Sequence, residues 1–161
     1  MFSKWIVPLT LTFMVTSFIS PVNARQEVPS DITDVCKDSI SEGRRRLNDI
    51  RNMSVVEDYW IRIQSTDYTN VPSSNLWSYI YVIQGKGVND LFFSPVFMKS
   101  ISTDIIEQCQ SASLVRFGLY ASGVNEVYGL MPSGEVRQFR CLDGSSGGWG
   151  TRTPNWGENW C

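Results

Sequence analysis

Ser146 lies at the centre of "GSSGG" (144–148), which fits the G-x-S-x-G spacing of a nucleophile elbow. That chemistry needs a strand before the serine, a helix after it and a histidine to take its proton. A strand pattern does end at Cys141, but no helical spacing follows, and the 161 residues include no histidine. The stretch therefore reads as a Gly/Ser connector. Losing histidine removes the commonest general base and the commonest transition-metal ligand together. "GKG" (85–87) lacks both the spacing of a phosphate loop and a Ser or Thr after its lysine. With no C-x-x-C pair either, zinc has no ligand set. Neither a metal nor a cofactor is expected, and no catalytic residue is assigned.

Carboxylates and tryptophans are the chemistry that remains. Glycoside cleavage requires only two carboxyl groups at a set separation, and Asp143 and Glu158 flank a segment bearing Trp149, Trp156 and Trp160. With 16 acidic residues in the chain such a pair arises cheaply, so solvated surface carboxylates are the expectation. The tryptophans have two uses. They cover an otherwise bare sheet face, each ring burying ~200 Å², or they stay exposed on a rigid loop as an apolar patch for a glycan or another protein. Gly150 and Gly157 beside the rings suit packing; as a contact surface, the three rings are the candidate ligand-binding residues.

These residues need something to hold them. A chain end normally carries small polar residues, because nothing repays the cost of ordering it. This one is "GSSGGWGTRTPNWGENWC" (144–161) and finishes on Cys161. The four cysteines, Cys36, Cys109, Cys141 and Cys161, suggest two disulfides, with three possible connectivities. If the last three strands form an up-down-up meander, Cys109 and Cys141 lie at opposite ends of it, ~20 Å apart at ~3.3 Å per residue. A disulfide needs Cα atoms within ~7 Å. Cys36–Cys109 with Cys141–Cys161 is the preferred pairing; Cys36–Cys141 with Cys109–Cys161 stays open. In the preferred one, Cys161 closes the Trp/Gly-rich loop (142–161) onto the last strand.

Disulfides imply an oxidising compartment, and the start of the chain agrees. Lys4, the apolar run "WIVPLTLTFMVTSFI" and the small residues of "SPVNA" give a secretory signal over 1–24. Pro8 and four hydroxyl residues interrupt the run too often for a membrane anchor. The protein is expected to be secreted or periplasmic, with no stable membrane span after cleavage. Removing 24 residues from 161 leaves 137, the size of a single globular domain over 25–161. The net charge of −2 becomes −3 as Lys4 leaves. That balance argues against nucleic acid, and Arg44-Arg45-Arg46 reads as the solvated side of a helix.

The elements follow from periodicity. Ile32, Cys36, Ile40, Gly43, Leu47 and Ile50 fall on one helical face, predicting a helix over 31–52 capped by Ser30 or Asp31. "DYWIRIQS" (58–65) alternates as a strand, and "LWSYIYVI" (76–83) is β-branched and aromatic. Ser94-Pro95 opens a second helix, with Ser102-Thr103-Asp104 as a restart point. Strands at 114–120, 126–131 and 136–141 complete the chain. The order predicts an α+β fold: an antiparallel sheet of about five strands, two or three helices on one face, stapled by disulfides.

"SPVFMKSISTDIIEQC", "VRFGLY", "VYGLMPSGEVRQFRC" and the final W-G plus Cys cover roughly the last 70 residues. In these the chain resembles small exported cyanobacterial proteins of unknown function. The resemblance implies export and a shared fold, and no activity. The sequence leads to an exported, non-enzymatic binding or interaction module. A small carbohydrate-active enzyme using a carboxylate pair and a secreted protein inhibitor are the alternatives.

Overall fold

A computed structural model describes residues 28–72, 76–142 and 152–160. The expected leader, Asp143, Trp149 and Cys161 lie outside the described residues.

Helix α1 (Asp34–Asn48) is shorter than the apolar spacing predicts. Its cap is Thr33, whose Oγ1 accepts from the Cys36 N–H at 3.2 Å. Asp31 is committed elsewhere, accepting from the Ser111 hydroxyl. After α1 come β1 (Met53–Arg62), β2 (Trp77–Gly85), α2 (Val88–Phe92) and α3 (Pro95–Gln108). Then follow β3 (Ala112–Leu119), β4 (Asn125–Leu130) and β5 (Val136–Gln138). The five strands form one sheet in sequence order. Ser102 and Thr103 do not restart α3. Their hydroxyls donate to the carbonyls of Met98 and Lys99 four residues back, which keeps them inside one continuous helix.

The α+β class is as expected, with the helices on one face. Leu47 of α1, Leu91 of α2 and Met98, Ile101 and Ile105 of α3 share a core with Tyr81, Phe117 and Tyr128 of the sheet. The sheet is mostly antiparallel, with one departure: β2 and β3 run parallel, Tyr81 opposite Phe117. A parallel pair needs a crossover, and α2 and α3 provide it; at 1.5 Å per residue α3 carries the chain back about 21 Å.

The expected strand 136–141 divides at Phe139. Arg140–Leu142 leave the sheet as β6 and pair in parallel with β7 (Glu158–Trp160). Phe139 itself packs where Gly129 leaves room, since a Cβ on Gly129 would stand 2.5 Å from the Phe139 ring. Cys36 is bonded to Cys109, with Cα atoms 4.7 Å apart, joining α1 to the end of α3. Cys141 is disulfide-bonded as well.

Candidate functional site

Strand alternation gives the sheet a second face, opposite the helices, which carries Ile61, Ile80, Leu114, Arg116 and Val127. Part of it is covered. Tyr68, Phe139 and Trp156 pack edge-to-face, with ring centroids 5.2–5.7 Å apart, over Leu114 and Val127. Trp156 is only 7% exposed, and its indole N–H donates to the Leu130 carbonyl at 2.9 Å. Its ring covers the sheet and is not offered to solvent. The two covering segments are clipped together: the Thr69 N–H donates to the Pro154 carbonyl (2.9 Å) and the Trp156 N–H to the Thr69 carbonyl (2.8 Å). Such a held segment is what the Trp-rich end of the sequence calls for.

Beside this cover lies a cleft of about 700 Å³. Ile80 and Arg116 form its floor. Ile61, 46% exposed, makes one rim, while Arg152, Pro154 and Trp160 stand opposite. Of the three tryptophans, Trp160 alone lines the cleft among the described residues, half-buried at the end of β7.

Arg116 is the unusual member. It sits on the central strand between Ile80 and Val127, with apolar neighbours on both sides. Its Nη2 donates to the Tyr68 hydroxyl at 3.2 Å, and its guanidinium lies 6.0 Å from the Tyr68 ring centroid. Its Nε–H is buried with no acceptor. No carboxylate of the described residues forms an ion pair with it. A half-buried charge without a counter-charge is costly. Burial pushes the Tyr68 hydroxyl pKa up, with Arg116 pulling against it. Tyr68 therefore stays protonated and accepts from Arg116 through its oxygen.

Of the two carboxylates that flank the Trp-rich segment, Asp143 lies outside the described residues and Glu158 is unsuited to the acid role. Glu158 accepts from Arg140 (2.5 Å), Arg152 (2.9 Å) and the Asn155 N–H (3.0 Å). Arg152 foremost, then the Asn155 N–H, hold its pKa down to about 2. A carboxyl that ionised has no proton to give a leaving group. Asp67 is the one carboxylate among the described lining residues, and it accepts from the Gln64 N–H. Among the described residues no group of three His, Cys, Asp or Glu side chains could hold a metal. The arrangement is suited to holding a ligand, with an apolar wall, polar edges and a cationic floor.

Arg44, Arg45 and Arg46 are committed within the molecule, to Asp58, to Glu42 and Asp49, and to Asp104. Arg116 was not singled out by its sequence, where "LVRFGLY" reads simply as a strand. Its signal was there: one charge inside a strand that the Trp-rich end would cover on its second face. The chain matches no protein-family model, no curated protein and no solved structure.

Proposed function

We propose that this protein is an exported, disulfide-stapled binding domain whose ligand site is the cleft on the second face of the sheet. The observation that carries this reading is the cleft itself. About 700 Å³ suits a small ligand or a short saccharide. Its walls come from two distant parts of the chain that are hydrogen-bonded to each other, so part of the ordering precedes binding. Export is supported by the signal-like pattern of residues 1–24 and by the oxidised cysteines. No helix among the described residues is long and apolar enough to cross a membrane.

The test is a saccharide and small-molecule screen on the oxidised protein, followed by amide shift mapping. Binding should move the resonances of Ile80, Tyr68 and Trp160, and Ile61→Glu at the exposed rim should weaken it at unchanged melting temperature. Ligands that map only to the helical side would overturn the assignment.

A further inference from the structure

We infer that the cleft recognises a ligand bearing a carboxylate, anchored by Arg116; this rests on the reading of the cleft as the binding site. Three observations converge on it. The first is charge balance. Among the described lining residues, Arg62, Arg116 and Arg152 face Asp67 alone, in a chain whose net charge is −2. Arg152 is ion-paired to Glu158, which it shares with Arg140. Arg62 stands at the exposed rim, which leaves Arg116 as the uncompensated charge at the floor.

The second is the state of the guanidinium. Of its five N–H bonds, one is used, by Tyr68. The group is half-buried between apolar strands, so water screens its attraction for an arriving oxyanion less than it would at an exposed arginine. One half-buried positive charge lacks one negative partner, and a single carboxylate group on the ligand would supply it. The planar fork of arginine pairs with the two oxygens of a carboxylate side by side.

The third is the surrounding frame. Ile61, Ile80 and Trp160 give apolar and aromatic surface beside the charge, while Thr66, Thr153 and Asn159 give polar edges. A bare inorganic anion would use none of it. An acidic sugar or an aromatic acid would use both parts, and the two sources share the carboxylate.

The experiment uses the full chain with its disulfides formed. Trigalacturonate, its methyl ester and phenylacetate are titrated while the Arg116 Nε–H resonance and the cleft amides are followed. The acid should bind at least tenfold more tightly than its ester and shift the Arg116 Nε–H. Raising the salt should weaken the acid alone. Tight binding by phenylacetate identifies a simple acid as sufficient; tight binding by trigalacturonate alone identifies an acidic sugar. Arg116→Leu should abolish the preference for acid over ester while keeping or raising the melting temperature, because an unpaired half-buried charge has gone. Arg116→Lys should keep part of the preference. Equal affinity for acid and ester, with shifts in the cleft, overturns the carboxylate and leaves the cleft standing. No cleft shift from any of the three overturns the cleft as well. A melting temperature that falls by ten degrees or more in Arg116→Leu shows a structural arginine and overturns the inference directly.

Discussion

The Tyr81 hydroxyl on β2 donates to the Ile40 carbonyl in α1 at 2.8 Å, directly over Gly43. Tyr81 is fully buried, so the sheet reaches across the core to satisfy a helix carbonyl that is already inside the hydrogen-bonded ladder. Gly43, which weakens the helix by propensity, is what lets the phenol come this close.

Gly43→Ala should therefore destabilise the protein, against the sign helix propensity alone would give. The new Cβ would stand 2.5 Å from Tyr81 Oη and 3.0 Å from Ile101 Cγ2. Overpacking of this kind costs ~1–3 kcal/mol, where propensity would favour alanine by ~1 kcal/mol. Urea midpoints decide the sign. Adding Tyr81→Phe removes the oxygen and should recover part of the loss, so a double-mutant cycle with no coupling would refute the contact.

Replacing Cys36 and Cys109 by serine should cost roughly 4 kcal/mol in the chain-entropy picture, because the bond closes a long loop with a sequence separation of 73. Unfolding curves of the oxidised and double-serine proteins measure it. With both sulfurs buried, reduction in mild thiol should be slow until the protein unfolds.

Trp156→Ala should cost about 3–5 kcal/mol, since the ring packs on Tyr68 and Phe139 and caps the Leu130 carbonyl. Trp160→Ala, at the cleft wall, should cost clearly less stability and more ligand affinity. If the two substitutions lowered the melting temperature equally, the division between packing and lining would be wrong.

The Glu158 carboxyl falls from an ordinary 4.5 to about 2 in the folded chain. A lowered carboxyl pKa stabilises the fold above the unfolded value and gives that stabilisation up as pH falls through the folded one. Glu158→Gln should thus be less stable than the native chain at pH 7, by ~1 kcal/mol for ion pairs with largely exposed arginines. The difference should shrink between pH 4.5 and pH 2. Paired denaturation curves across that window, at one ionic strength, isolate it from the other carboxylates. A gap that stays constant to pH 2 would show that the Arg140 and Arg152 pairs contribute nothing.

Much of this architecture is written locally. The apolar stripe from Ile32 to Ile50 places α1, Pro95 opens α3, and the strands around Tyr79, Phe117 and Tyr128 follow from alternation and β-branching. The Cys36–Cys109 bond is the preferred of the two pairings left once a meander separates Cys109 from Cys141. What was not legible depends on partners far away in sequence. Periodicity does not state strand direction, so the parallel β2–β3 pair became visible only through the helical crossover. In β1, alternation gave two candidate faces. Trp60, not Ile61, turned out to be the core residue, because Trp60 faces Tyr79 on the helical side. Phe139 broke its strand for the space over Gly129, a vacancy ten residues earlier. Arg116 has the same origin: an arginine in a strand acquires meaning only when the opposite face is known to be roofed.

Thr69 and Asn155, which touch through their side chains at 2.7 Å, are 86 positions apart. The recess beside them is therefore a product of long-range closure: one wall is laid down with the sheet, and the other, Arg152, Pro154 and Trp160, reaches it only when the 152–160 segment is clipped to Thr69.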